Sequence, residues 1–294
     1  MRRLAVLLLL AGCAVRDPAP PEDETLARLA GSANRALELD EPGSAATLYR
    51  RALDRARERD DAGAIADMAF GEATARLAQG DAAAAERIAR EVREELARRN
   101  RAASPRLVLV EATALLRLGR DGQAEALASQ VVRRGAEDPA AAKRAWFLLG
   151  LVAARRGDVA GVQRAEVALH DAGDPAFQAD AVELAAHVAL LRGDAQRGAD
   201  DAAAAALLRQ QALDYRGLSR ALALEGAARA ALGDAALAAD LYRRAALGAA
   251  RRGERDDARR WEAEAGRLAP GAQPRSSSQA RSAARASPGS ARSR

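Results

Sequence analysis

Residues Ala45–Leu53 read AATLYRRAL, and residues Ala238–Leu247, far later in the chain, read AADLYRRAAL. Apolar side chains in both segments recur at intervals of three and four residues, which is the spacing of one buried face of an α-helix. The same spacing occurs in the middle of the chain, at Ala124, Leu127, Ala128, Val131 and Val132. A helix that recurs in this way predicts an array of helical repeats.

A glycine followed by an aspartate, or a near equivalent, separates these helices. The motifs are Gly80-Asp81, Gly119-Arg120-Asp121, Gly157-Asp158, Gly193-Asp194 and Gly233-Asp234, at intervals of 39, 38, 36 and 40 residues. Glycine ends a helix because it adopts the left-handed conformation at little cost, and an aspartate can cap the helix that follows. The regular interval therefore predicts helix-turn-helix units.

The composition favours an all-α fold. Hydrophobic residues make up 49% of the 294 residues, mostly as alanine, while aromatic residues account for only 3%. Alanine is the best helix former, and no long stretch alternates with the period of two that a half-buried strand requires. Because Cys13 is the only cysteine, no intramolecular disulfide can form. We expect helix packing to supply the stability.

One unit resembles the tetratricopeptide repeat family in its motifs. Residues 146–150 read WFLLG, which matches the W-x2-L-G motif of the first helix, and Pro175 matches the proline that follows the second helix. Pro139 and Gly226 match the pattern in other units. Most units lack the tryptophan and are longer than about 34 residues, which resembles kinesin-light-chain repeats.

The resemblance implies the overall architecture. It predicts a tetratricopeptide-type α-solenoid, a right-handed superhelix of about six repeats over residues 24–268, in which Arg255–Leu268 form a capping helix. In this family the first helices line the concave face, and that face usually holds a peptide or another protein.

The N-terminus has the features of an export signal. Two arginines precede an apolar run, Leu4–Ala11, that is too short to span a bilayer. The motif Leu10-Ala11-Gly12-Cys13 resembles the lipobox of bacterial lipoproteins, whose cysteine is diacylated and becomes the first mature residue. We predict a signal peptide over residues 1–12, lipidation of Cys13 and a tether over residues 13–23. A plain secretory signal, giving a secreted soluble repeat protein, is the alternative.

The residue after the lipobox bears on location. Ala14 is not the aspartate that the lipoprotein family associates with retention in the inner membrane. The resemblance therefore implies an outer-membrane protein, lipid-anchored and facing the periplasm, that contacts the membrane through its anchor only.

The surplus of positive charge lies at the two ends of the chain. The net charge is +5, but without Arg2, Arg3 and the five arginines of residues 269–294 the chain has 39 basic and 41 acidic side chains. This distribution argues against a nucleic-acid-binding face. Residues 269–294, rich in serine, arginine and alanine, are predicted to be a disordered basic tail, since they have almost no bulky apolar residue to bury. The tail is either inert or contacts anionic headgroups or cell-wall polymer.

No catalytic or metal-binding motif stands out. His170 and His187 are 17 residues apart without a cysteine ligand, and no G-x-S-x-G signature occurs. Paired acids such as Asp60-Asp61 and Glu94-Glu95 fit solvated helix faces or helix ends. We therefore predict a protein that is not an enzyme, requires no cofactor or metal and has no small-molecule substrate.

Superposition of the units places charge and aromatic rings together in the concave groove. The predicted groove residues are Phe70, Arg106, Arg117, Arg144, Phe147, Arg155, His187 and Arg220. Arginines bind carboxylates well, and exposed aromatic residues often anchor interfaces, so we predict an acidic partner segment there. Alternatively, these arginines are solvated and pair with acids of adjacent helices.

The lipoprotein resemblance also implies an envelope function. Lipoproteins of similar architecture include pilotins and pilus-assembly factors, components of the barrel-assembly machine, and adaptors that link cell-wall hydrolases to a protease. We rank first an adaptor for other envelope proteins, in pilus or secretin assembly. A regulator or adaptor of cell-wall hydrolases and a barrel-assembly component are the alternatives.

Overall fold

The computed structural model describes residues 23–170 and 174–268, and within these residues all regular secondary structure is α-helical. Six helix pairs follow one another, and a single helix ends the described part of the chain. The helices are α1 (Glu24–Glu38), α2 (Pro42–Glu58), α3 (Ala62–Ala78), α4 (Ala82–Arg98), α5 (Pro105–Arg117), α6 (Asp121–Arg133), α7 (Pro139–Arg156), α8 (Val159–Leu169), α9 (Pro175–Leu191), α10 (Ala195–Gln211), α11 (Tyr215–Ala231), α12 (Ala235–Arg251) and α13 (Arg255–Leu268). We call the odd-numbered member of each pair its first helix and the even-numbered member its second helix.

The glycines of the repeated motif end first helices as predicted. Residues 80, 119, 157, 193 and 233 are glycines with φ between 72° and 85°. At Asp81, Asp158, Asp194 and Asp234 the side chain caps the second helix by accepting a backbone hydrogen bond. The predicted cap at Asp121 is wrong, because Arg120 is the N-cap residue of α6 and Asp121 is already helical.

The helices pack in chain order, and the first helices form an additional row. Besides its neighbours in the chain, α5 contacts α3 and α7, and α9 contacts α7 and α11. Among the described residues, the second helices make no comparable contacts with one another. The first helices therefore lie on the inner, concave side of a solenoid, and the second helices lie outside. This arrangement confirms the predicted all-α solenoid.

Small residues allow the helices to approach closely. A Cβ atom added to Gly150 of α7 would lie 2.6 Å from Cδ2 of Leu184 and 3.0 Å from Cβ of Ala165. Gly71 of α3 similarly lies against the ring of Tyr49. Gly150 thus stands at a close contact between helices, as the W-x2-L-G motif predicts.

We expect Gly150→Leu to lower the free energy of unfolding by about 1–3 kcal/mol, because the larger side chain must displace Leu184 and Ala165. Chemical denaturation followed by circular dichroism measures the change. Gly122→Leu is the control, since Gly122 is also helical and has no atom within 4 Å of an added Cβ among the described residues. Equal effects of the two substitutions would show that the contact at Gly150 tolerates a side chain.

Asp23 joins the first two helices. Its carboxylate accepts a hydrogen bond from the backbone N–H of Leu26 at 2.8 Å, which caps α1, and another from Nη2 of Arg55 on α2 at 2.7 Å. The bond from Leu26, followed by that from Arg55, lowers the pKa of Asp23 from 3.8 to about 2. The ionised carboxylate is therefore the form that stabilises the folded chain.

We expect the stabilising effect of Asp23 to depend on pH. Because its pKa is lower in the folded chain than in the unfolded chain, the effect is complete above about pH 4 and is lost as the pH falls through 2. Asp23→Asn should lower the Tm at pH 7, and the difference from wild type should shrink toward pH 2. Glu262→Gln, at an exposed position of α13, should show little difference at either pH. A pH-independent difference for Asp23→Asn would contradict this prediction.

Several sequence-based predictions fall outside the described residues. The signal peptide over 1–12, the lipidation site Cys13, all but the last residue of the tether over 13–23, and the tail over 269–294 belong to this group. None of the described helices combines the length and the apolar character that crossing a membrane requires.

Candidate functional site

The solenoid is curved so strongly that the turn within its second helix pair contacts the turn before its last helix. The turn between α3 and α4 lies against the turn between α12 and α13, so closely that a Cβ atom added to Gly80 would overlap the carbonyl oxygen of Gly253. Nη2 of Arg216 on α11 also donates to the carbonyl oxygen of Ala78, at 3.4 Å. We call this meeting of residues 78–80 with Arg216 and Gly253 the closing contact.

Next to the closing contact, on the concave side, lies a cavity of about 280 Å³ that opens to solvent. First helices α5, α7 and α11 form its walls, and α13 and the turn before it complete them. The uncharged lining residues are Leu109, Thr113, Leu116, Phe147, Leu148, Leu151 and Trp261, and the charged ones are Arg117, Arg144, Arg155, Arg216, Arg220, Glu254 and Asp257. Sites for small molecules occupy about 300–1,000 Å³, so this cavity has room for one large side chain or one small ligand.

Four of the five cavity arginines have a carboxylate partner. The pairs are Arg144 with Asp180, Arg155 with Asp121 and Arg220 with Glu183, each at 2.8 Å, and Arg216 with Glu254. The two acids of the lining are also engaged, because Glu254 pairs with Arg216 and Asp257 accepts a hydrogen bond from Arg260. These pairs neutralise most of the charge in the walls.

Arg117 differs from the other cavity arginines. Its Nη1 donates to the carbonyl oxygen of Leu77 at 2.8 Å, but no carboxylate of the described residues lies within 4 Å of its guanidinium. Burial, and next the neighbouring charge of Arg216, lower the pKa of Arg117 to about 10. Arg117 therefore stays protonated at neutral pH and faces the cavity with no carboxylate of the described residues in direct contact, while Glu254 and Asp257 attract it from farther away.

A buried charge network supports the cavity wall from behind. Arg209 of α10 is only 2% exposed, and its Nη2 donates to the carboxylates of Asp180 and Glu183. The guanidinium groups of Arg209 and Arg220 lie 5.4 and 5.3 Å from the ring centroid of Phe147. The network thus holds Phe147 and Arg220 in the orientation in which they line the cavity.

The structure places five of the eight predicted groove residues in the cavity lining: Arg117, Arg144, Phe147, Arg155 and Arg220. The other three lie elsewhere. Phe70 is half-buried and packs against the largest apolar cluster, and Arg106 is exposed and bonds to Asp138 at 2.7 Å. His187 is half-buried near Glu183 and Arg220, and burial lowers its pKa.

Two cavity arginines also connect successive repeats. Nη1 of Arg117 bonds to the carbonyl oxygen of Leu77 in the last turn of α3, and Nη1 of Arg155 bonds to that of Leu116 in the last turn of α5, at 2.9 Å. Each carbonyl oxygen also accepts a backbone hydrogen bond from the glycine of its own turn, Gly80 for Leu77 and Gly119 for Leu116. Arg117 and Arg155 therefore join neighbouring helices besides facing the cavity. The pairing of groove arginines with acids of adjacent helices, which the sequence left open, is present at Arg144, Arg155 and Arg220.

Part of the lining comes from the C-terminal helices and was not predicted from the sequence. It consists of Arg216, Glu254, Asp257 and Trp261. Trp261 packs in the core, at 5% exposure, while also lining the cavity. These residues reach the cavity through the closing contact, which joins positions 138 apart in the sequence, and no local pattern signals such a contact.

No protein-family model matches the sequence, and neither does any curated protein. Solved structures do resemble the fold. A Rap protein complexed with competence and sporulation factor aligns with a TM-score of 0.55 at 11% identity, covering 81% of this chain and 80% of that one. A tetratricopeptide repeat protein from Parabacteroides merdae aligns with a TM-score of 0.48 at 13% identity, covering 85% and 95% of the two chains. The likeness concerns the fold, which is a tetratricopeptide-type α-solenoid.

Proposed function

We propose that the chain is a non-catalytic adaptor whose concave face binds an acidic segment of a partner protein. Arg117 carries this proposal, since it is the one arginine of the cavity lining without a carboxylate partner among the described residues. An acidic side chain from a partner would meet arginines there, while its neighbours would contact the apolar lining. Guanidinium groups bind carboxylates with paired, charge-assisted hydrogen bonds.

The apolar lining supports a protein partner. Phe147 and Trp261 provide aromatic surface within the cavity, and aromatic and arginine residues are the commonest energetic anchors of protein interfaces. The Rap protein of similar fold is complexed with a factor, which agrees with a binding function for such a solenoid. A partner would insert a single side chain or a chain end, because the cavity has no room for a helix.

The adaptor proposal is tested by capture of partners from crosslinked cells, compared between two charge variants. Arg117→Gln with Arg144→Gln removes two charges from the cavity, whereas Arg133→Gln with Arg243→Gln removes two from exposed positions of second helices. We expect the first pair to lose a partner that wild type and the second pair retain, at equal helical content. A partner set that is the same for all three proteins would contradict the proposal.

Our proposal for the location rests on the N-terminal motif. We infer a lipid-anchored, periplasm-facing protein of the outer membrane, on the basis of Leu10-Ala11-Gly12-Cys13 and of Ala14. In that setting the adaptor would serve pilus or secretin assembly, with regulation of cell-wall hydrolases or barrel assembly as alternatives. Neighbouring secretin and pilin genes would favour the first, and neighbouring hydrolase genes the second.

Lipidation is tested at the mature N-terminus. We expect mass spectrometry of the wild-type protein to find acyl chains on Cys13, and Cys13→Ser to leave the signal uncleaved by the lipoprotein peptidase. Ala14→Ser, which keeps the cysteine, should be lipidated like wild type. An unmodified Cys13, or cleavage at another residue, would show that the lipobox is fortuitous.

A further inference from the structure

We propose that the cavity binds a small carboxylate on an apolar stem, with Arg117 as its counterion, and that this ligand holds the solenoid closed. The inference uses the same cavity as the proposed adaptor function but assigns it a ligand class and a conformational effect.

The charge of the cavity selects an anion. Removing a protonated guanidinium from water costs free energy unless a counterion and hydrogen bonds compensate it. Among the described residues, the guanidinium of Arg117 is hydrogen-bonded to the carbonyl oxygen of Leu77 alone. A carboxylate would accept from the N–H groups of Arg117 that face the cavity. Glu254 and Asp257 line the same cavity, so a doubly charged phosphate would be repelled more than a carboxylate with one charge.

The rest of the lining selects an apolar stem. Four leucines and two aromatic side chains, Phe147 and Trp261, form the uncharged wall together with the hydroxyl-bearing Thr113. A volume of about 280 Å³ holds a stem about as large as one aromatic or aliphatic side chain. A free aryl or alkyl carboxylic acid has this chemistry, and so does the last residue of a peptide with an apolar side chain.

The two walls come from opposite sides of the closing contact. Arg117 belongs to α5, which stacks on α3, whereas Trp261 belongs to α13, which follows the turn at Gly253. A ligand that contacts both Arg117 and Trp261 binds only when these walls are together. Such a ligand must therefore shift the population toward the closed form, to an extent set by the difference between its affinities for the closed and the open form.

The test uses 4-phenylbutanoate as the probe and its neutral amide, 4-phenylbutanamide, as the matched control. Spin labels at Ala83→Cys and Arg255→Cys, both exposed positions near the closing contact, report the distance across it in a full-length Cys13→Ser background. We expect the acid to narrow the distance distribution and to raise the Tm, and the amide to do neither. Failure of both the acid and the free tripeptide Gly-Gly-Leu on this wild-type cavity overturns the proposal without any change to Arg117.

Two further comparisons identify the source and the site. The tripeptide Gly-Gly-Leu, with a free or with an amidated C-terminus, distinguishes a chain end from a free acid. A response to the free peptide but not to 4-phenylbutanoate assigns the site to a chain end. A response to 4-phenylbutanoate assigns the site to free acids. Arg117→Gln should weaken the response at least tenfold, whereas Arg117→Lys and Arg133→Gln should retain most of it. Inorganic phosphate that acts as strongly as the acid would overturn the assignment to carboxylates.

The outcome is separable from that of the adaptor proposal. A response to 4-phenylbutanoate that depends on Arg117, without any captured partner, supports the ligand and contradicts the adaptor. Capture of a partner that depends on the cavity arginines, without a response to any of the carboxylate probes, supports the adaptor and contradicts the ligand.

Discussion

Arg209→Met is expected to lower the free energy of unfolding by about 3–5 kcal/mol, the typical cost of removing one partner from a buried ion pair. Arg209 is almost fully buried and donates to Asp180 and Glu183, which are buried as well. Methionine fills much of the space but leaves the two carboxylates with fewer partners, Arg144 for one and Arg220 for the other. Denaturation by urea measures the loss.

Two variants separate this explanation from a general effect on α10. Arg197→Met removes an exposed arginine of the same helix, and its effect should stay below about 0.5 kcal/mol. Arg209→Met combined with Asp180→Asn should recover part of the stability, because Glu183 keeps Arg220 as its partner and the released Arg144 is 42% exposed. If the double variant is no more stable than Arg209→Met alone, lost packing rather than uncompensated charge explains the effect.

The sequence was informative wherever the chain uses glycine to end a helix. The five glycines at the ends of first helices were found from their spacing, and each has a positive φ. Other helices end at left-handed residues that are not glycine, namely Asp40, Asp60, Asn100 and Leu213. Because these residues have no common identity and no regular spacing, the sequence offered no comparable signal for those turns.

The buried carboxylates were harder to predict than the turns. Paired acids were interpreted as solvated, but the buried acids include single residues of first helices, Glu72 and Glu111. Each is bonded by an arginine of the preceding second helix, Arg50 for Glu72 at 2.6 Å and Arg93 for Glu111 at 2.7 Å. The two glutamates are 39 residues apart, which is the repeat interval, and this spacing could have revealed them.

The repeat pattern predicts some of the residues that line the cavity, but it does not predict the approach of the C-terminal helices to it. The register of the repeats was enough to bring Arg117, Arg144 and Arg155 to the concave face, since each lies on a first helix. The contact that brings the C-terminal helices to the cavity could not be predicted in this way, because it depends on the small rotations between successive repeats, summed over the whole solenoid. Such a sum is set by the packing of every interface, and no single motif encodes it.

Gly80→Ala is expected to break the closing contact. An added Cβ would overlap the carbonyl oxygen of Gly253, and backbone atoms cannot move aside as the end of a flexible side chain can. We expect a loss of about 1–3 kcal/mol in the free energy of unfolding from the overlap, in addition to the cost of alanine at positive φ. Small-angle X-ray scattering should show a larger radius of gyration, because the two turns must separate.

Gly193→Ala isolates the closing contact from the cost of the backbone conformation. Gly193 has a φ of 82° against 81° for Gly80, and among the described residues nothing lies within 4 Å of a Cβ added to it. Both substitutions therefore carry the same strain at positive φ, and only Gly80→Ala adds the overlap with Gly253. Equal losses of stability and an unchanged radius of gyration would show that the turns are not held together in solution. A selective effect of Gly80→Ala would instead show that the contact between Gly80 and Gly253, which are far apart in the sequence, holds the two turns together and keeps the C-terminal helices at the cavity.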